Sequence, residues 1–172
     1  MAAAFHPGNS PVQRRIDAYV LALSWLAGLI CGFLVSLGAG SSLSSMMRRA
    51  AVGSVSIVSL VGSALFPFLI SAFAVLLSRS ALLLVCFGKA FLFSFTAAGI
   101  LRAFGGAGWL ACRLVMFSDF ALLPLLYFFW LRLLSGRARR LGTAAVFALA
   151  MLIVSAHYRI ISPLWASLIG KL

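Results

Sequence analysis

Apolar residues fall in long blocks separated by short polar or basic breaks. The blocks run about Ile16–Leu37, Gly53–Leu77, Ala81–Leu101, Trp109–Leu134 and Leu141–His157. A helix needs roughly 20 apolar residues to cross ~30 Å of hydrocarbon, and the first four blocks reach that length. The fifth, at about 17 residues, is marginal. Inside lipid, each backbone polar group left without a partner costs several kcal/mol, so such segments are helices. The pattern therefore predicts an all-α fold, a polytopic transmembrane helical bundle of about five spans. Residues 1–172 form a single integral membrane domain in this reading, with 158–172 as an interfacial tail. Trp165 then sits at headgroup level beside Pro163. Alternatively, the fifth helix runs on through Ile161.

The basic start followed by an apolar run imitates a signal peptide. The run from Ile16 to Leu37 is longer than the roughly 7–15 residues of a typical signal core, and Ser36-Leu37-Gly38 is a weak cleavage site. An uncleaved first span is the better reading.

Small residues mark faces where helix backbones can approach. Gly28, Gly32, Ser36 and Gly40 recur at steps of four in the first block. Ala90, Ser94 and Ala98 repeat the step in the third, and Gly53, Ser54, Ser56, Ser59, Gly62 and Ser63 crowd the second. Such faces pack within a protomer or between protomers. The second half of the fourth block is bulky and apolar, a face for lipid or a partner. Pro67 and Pro124 each remove a helix hydrogen bond, freeing the carbonyls of Ser63 and Phe120, so kinks are expected there. Their flanks look alike, but proline and leucine are common in spans, and a chance likeness is the better reading than a repeat.

Composition changes this picture in one respect. Of 172 residues, 64% are hydrophobic, and only two are acidic, Asp17 and Asp119, against 14 Lys and Arg, for a net charge of +12. The mean hydropathy is +1.16. In a soluble chain this charge would suggest nucleic acid. Here the arginines stand at block ends, where they snorkel and meet anionic headgroups, and no basic face forms outside the membrane. The partners expected are therefore the lipid bilayer and other membrane proteins, with no nucleic acid. Counting by side, the N-terminal side holds Arg14, Arg15, Arg79, Arg132, Arg137, Arg139 and Arg140. The other side holds Arg48, Arg49, Arg102, Arg159 and Lys171. The imbalance favours a cytoplasmic N terminus.

Lys89 and Asp119 are the candidates for a buried ionic site. A lone charge at the bilayer centre costs ~3 kcal/mol or more. Lys89 lies about 12 Å into the third block and Asp119 about 15 Å into the antiparallel fourth. Across ~30 Å of hydrocarbon their levels differ by only about 3 Å, within reach of a lysine stem. An interhelical pair near the midplane is expected, as a structural clamp or as part of an ion or proton path; the alternative is no pairing, with Lys89 snorkelling. Arg113, close to the end of its block, snorkels.

Little other chemistry is present. There is no HExxH, no GxGD, no Walker-type or GxGxxG loop, and Gly105-Gly106-Ala107-Gly108 reads as a short turn. His6 and His157 are too far apart in sequence for a local metal site. Cys31, Cys86 and Cys112 fall inside blocks without CxxC spacing and read as packing residues. Asp17 lies at the membrane edge, so a carboxylate dyad is excluded. The expectation is a chain that is not an enzyme, with no catalytic, metal or cofactor residues.

From Leu65 to about Leu134 the sequence resembles the stage II sporulation protein M family of bacterial membrane proteins. The residues that carry the likeness are Phe66-Pro67-Phe68, then Gly88-Lys89-Ala90-Phe91-Leu92-Phe93-Ser94-Phe95-Thr96, the turn Phe104-Gly105-Gly106-Ala107-Gly108, and Leu123-Pro124. The chain departs at Ala90, where the family has glycine, and at Phe117-Ser118-Asp119. The resemblance implies a multi-pass component of the bacterial cytoplasmic membrane that takes part in engulfment during sporulation. It would be a non-catalytic scaffold that localises cell-wall peptidoglycan-remodelling partners. The family's other members imply an alternative, the membrane subunit of a transporter or ABC-type permease system. A homo-oligomer is compatible with either.

Overall fold

A computed structural model describes residues 11–52, 57–134 and 140–169. Gly53, Ser54, Ser56, Arg137, Arg139 and Lys171, which entered the readings above, lie outside the described residues. The chain is all-helical: α1 (Pro11–Gly38), α2 (Gly40–Val52), α3 (Ile57–Leu77), α4 (Arg79–Phe104), α5 (Gly108–Val115), α6 (Phe117–Leu134), α7 (Arg140–Ala156) and α8 (Ser162–Ile169). Among the described residues, three helical stretches are long and apolar enough to cross a membrane: Arg15–Gly38, Ser80–Val115 and Ala144–Leu168. Val61–Leu77 is a shorter apolar helix. The stretch Ser80–Val115 contains the 3-10 turn Gly105–Ala107, so the 26 residues of α4 supply most of its length.

The closest helix pair is α1 against α4. Gly28 faces the Phe87 carbonyl and the Ala90 side chain, and Gly32 faces the Phe91 backbone. A Cβ added at either glycine would collide with main chain, so the small-residue step is what lets the two backbones meet. The contacts advance together along both helices, which therefore run parallel. Leu21, Ser36, Ala90 and Ala98 are buried in the same region. The Ser24 hydroxyl donates to the Leu83 carbonyl at 2.8 Å. Ser94 is half-buried on α4. Gly40 does not belong to this seam: α1 ends at Gly38, and Gly40 opens α2 with nothing near its missing Cβ. Arg102 ends α1, donating through Nη1 to the carbonyls of Ser36 and, at 3.2 Å, Leu37. A guanidinium at a helix C-terminus satisfies its last carbonyls.

A single residue joins α3 to α4. Ser78 is extended, at φ −170° and ψ 162°, and its side chain accepts from the Ala81 N–H at 3.0 Å, a serine N-cap. The chain reverses again after α4, where Gly105 takes φ 52°, a left-handed conformation that glycine adopts at no steric cost. Gly108 then lies against the Leu101 backbone. The core between α3, α6 and α7 is aromatic: Phe68 stands 5.4 Å from Phe129 and 5.7 Å from Phe147, ring centre to ring centre. Trp130 is fully buried, and its indole N–H donates to Ser71 Oγ at 2.6 Å.

The second half of the chain bears on three points of the sequence reading. The block Trp109–Leu134 is not one helix; it breaks at Met116 between α5 and α6. Pro67 and Pro124, the expected kink positions, lie inside α3 and α6, each of which continues past its proline. Of the two readings of the tail, the structure agrees with the helix that runs on through Ile161: it passes through a π-helical turn, His157–Ile161, into α8. Trp165 is 6% exposed and meets the Phe104 ring edge-on at 5.6 Å, so it is a core residue. Pro163 lacks an N–H and crowds the preceding turn, and the wider π turn accommodates it.

Gly32→Val is expected to lower the stability of the detergent-solubilised protein by about 1–3 kcal/mol through overpacking. Gly88→Ala, where an added Cβ meets nothing within 4 Å, serves as the control and should be neutral or slightly stabilising. Thermal unfolding of both variants measures the difference.

Candidate functional site

The buried residues form two apolar clusters. One holds Leu82, Cys86, Leu122, Leu126 and Trp130; the other holds Ile100, Ala111, Cys112, Met116 and Trp165. Along α4 and α6, Lys89 and Asp119 lie between them. Because α4 and α5–α6 are antiparallel about the Gly105 turn, residues 30 apart in sequence meet: Lys89 Nζ donates to Asp119 Oδ1 at 2.6 Å. Phe93 and Phe120 pack edge-on at 5.0 Å beside the pair.

The break at Met116 puts Asp119 in the first turn of α6, where the positive end of the helix dipole favours a carboxylate. The same break leaves N–H groups to be satisfied. Met116 and Phe120 keep backbone acceptors, Cys112 and Met116. Ser118 does not; its N–H donates to His157 Nδ1 at 3.1 Å. His157 is 3% exposed and stands at the start of the π turn, with Phe117 against its ring at 6.1 Å. An imidazole that accepts at Nδ1 is neutral, with its proton on Nε2.

The arrangement joins three helices through two polar contacts: α4 to α6 by the ion pair, and α6 to α7 by His157. It does not join a nucleophile to a base. Ser118 meets His157 through its amide, and that amide occupies the nitrogen that would otherwise accept a hydroxyl proton. Among the described residues, no three His, Cys, Asp or Glu side chains converge on a metal-sized site. Cys86 and Cys112 are buried apart from each other, each in a different apolar cluster, and Cys31 is exposed on α1.

Sequence reasoning weighed His157 only as a metal ligand and missed its structural role, because its partner is a backbone amide 39 residues away. It also passed over α2. The signal there was Leu43 and Met47 on one face with Arg48 and Arg49 following; Met47 lies over Gly99, and the Arg48 guanidinium stands 5.6 Å from the Phe104 ring centre.

No family model, curated protein or solved structure matches this chain. The likeness to the stage II sporulation protein M family rests on the residues quoted for it.

Lys89→Met and Asp119→Asn should each cost about 3 kcal/mol, the low end for breaking a buried pair, since Asp119 keeps 36% exposure. Exchanging the two residues should recover most of the loss, and chemical denaturation in micelles reads the cycle. His157→Phe keeps the ring but strands the Ser118 N–H, so a loss of about 1–3 kcal/mol is expected. An unchanged midpoint for His157→Phe would show that the amide finds another acceptor.

Proposed function

We propose that this chain is a five-pass, non-catalytic scaffold of a bacterial cytoplasmic membrane. In this reading α1, α3, α4, α5–α6 and α7–α8 each cross the bilayer, and α2 lies along one surface. The directions of the helices support it: α1 is parallel to α4, α3 is antiparallel to both, and α6 is antiparallel to α7, as the Phe129–Phe147 and Ser118–His157 contacts require. Exposed apolar residues such as Leu23, Leu26 and Phe33 on α1 and Leu76 and Leu84 near the α3–α4 turn then face lipid.

The observation that carries the scaffold reading is the use made of the polar groups at depth. Lys89, Asp119, Ser71 and His157 all bind helices to one another, and none is arranged to act on a substrate. The resemblance to the sporulation family supplies the process: engulfment, with cell-wall peptidoglycan-remodelling enzymes as the partners held near the wall. The transporter reading has two cavities to draw on: an open apolar one of about 540 Å³ between α1 and α6, lined by Trp25, Leu26, Leu123, Pro124 and Tyr127 with no charged group, and a cleft beside Lys89 and Asp119. The room in the cleft is about 10 Å³, enough for one water molecule and too small for a solute path.

The N terminus should be cytoplasmic and the C terminus outside. Fused reporters at the two ends test this, and signals from the same side would remove the five-pass arrangement. Crosslinking in native membranes during sporulation, followed by affinity capture, should recover a wall amidase or lytic transglycosylase. Recovery of a nucleotide-hydrolysing subunit without any wall enzyme would replace the scaffold by the permease subunit.

A further inference from the structure

Helices α1 and α6 touch through Trp25 and Trp130, whose ring centres are 5.8 Å apart. Beside that contact they leave an open groove of about 540 Å³, lined by Ala22, Trp25 and Leu26 from α1 and by Leu123, Pro124 and Tyr127 from α6. The volume falls within the ~300–1,000 Å³ of sites that hold a small ligand. The walls carry no charge, so the matching ligand surface is apolar. Leu26 and Tyr127 keep 52% and 37% exposure, so the groove opens sideways from the bundle.

The depth of the groove can be counted along both walls. On α1, Ala22 and Leu26 stand seven and eleven residues beyond Arg15, about 10 and 16 Å at a rise of 1.5 Å per residue. On α6, Tyr127 and Leu123 stand seven and eleven residues before Leu134, which again gives about 10 and 16 Å. Half of the hydrocarbon layer is ~15 Å, so the groove occupies the inner part of one leaflet and ends near the midplane. Arg15, exposed at the surface end, continues the α1 wall. At about 100° per residue, Ala22 and Leu26 lie about 20° to either side of it, while Asp17 is turned about 160° away.

A cation at the surface above an apolar trough one leaflet deep complements a phospholipid, with its phosphate above and its chain below. A partner helix would cross both leaflets, and the groove is confined to one. The count of Lys and Arg makes this the more basic surface, which gathers anionic headgroups. We propose that the α1–α6 groove holds one acyl chain of an anionic phospholipid from the leaflet on the N-terminal side, with its phosphate beside Arg15. The chain lies against Trp25, Pro124 and Tyr127, ends at Leu26 and Leu123, and joins α1 to α6 where side chains do not. The stretch Arg15–Gly38 is long and apolar enough to span by itself, and the proposal rests on the five-pass reading for the crossing of α5–α6.

Native mass spectrometry of the full chain, released from vesicles of equal phosphatidylglycerol and phosphatidylcholine, tests it. One phosphatidylglycerol per protomer should survive gentle removal of detergent. Ala22→Trp fills the groove from its wall and should cut that occupancy about tenfold. Leu23→Trp, at a position 65% exposed and outside the groove lining, should leave it unchanged. Arg15→Gln should keep a lipid but lower the preference for phosphatidylglycerol about fivefold, the worth of one basic residue near the surface. In intact vesicles, phosphatidylglycerol brominated near its chain ends should quench tryptophan fluorescence more than phosphatidylcholine brominated at the same carbons. That difference should vanish in Trp25→Phe, and it decides the matter if Ala22→Trp lowers the thermal midpoint. No retained lipid, equal retention by a stable Ala22→Trp, a preference that Arg15→Gln leaves intact, equal quenching by the two lipids, or a second copy or another protein bound in place of lipid would each overturn the proposal. Reporter signals from the same side at both termini would instead remove the five-pass reading, and they are scored separately from the lipid count.

Discussion

Asp119 is a carboxylate set between two apolar clusters, and the placement of the helices follows from giving it a counter-charge. Lys89 lies near the middle of α4, so the segment bearing Asp119 must return antiparallel to α4 and reach the same level. The turn at Gly105 reverses the chain, and the break at Met116 brings the start of α6, with its favourable dipole, to that level. The break in turn exposes the Ser118 amide, and His157 comes from α7 to accept it. One charge thus fixes the relation of α4, α5, α6 and α7 through a sequence of local requirements.

The other half of the bundle is fixed by shape. Gly28 and Gly32 bring the α1 backbone onto that of α4, and Arg102 closes the far end by holding the last carbonyls of α1. No charge pairing is involved at that end, since Arg102 meets carbonyls and not an acid. α4 is therefore common to two kinds of contact, steric closeness on one side and ionic pairing on the other. Its single-residue link to α3 through Ser78 ties a third neighbour to it. This centrality gives the small and polar positions of α4 their weight: Ala90 and Lys89 are adjacent residues that serve opposite faces.

What could be read in the sequence depended on whether a feature was periodic. Depth along a helix is linear in residue number, so the levels of Lys89 and Asp119 could be compared before any contact was known, and the two side chains meet in the structure. The step of four at Gly28 and Gly32 is equally regular. Gly40 shows where regularity misleads: it continues the step, but the helix has ended at Gly38. The break at Met116 carries no glycine or proline of its own and depends on a distant histidine, so nothing local announced it. Pro163 lies in the tail that reads as interfacial, and the π turn shows how a helix continues past such a residue. The amphipathic α2 falls in the polar and basic break between the first two apolar blocks, and its apolar face shows only in the contact of Met47 with Gly99.

The π turn at His157–Ile161 holds one residue more than regular α geometry would use. That extra residue sets the angular phase between α7 and α8. Its removal would rotate everything beyond it by about 100°. The same register that points His157 toward the α5–α6 break also points Trp165 toward Phe104, so the two anchors of the last helix are keyed to each other. The bulge works as a phase shifter: it lets one continuous helix present correct side chains to two partners that a uniform helix could not face at once.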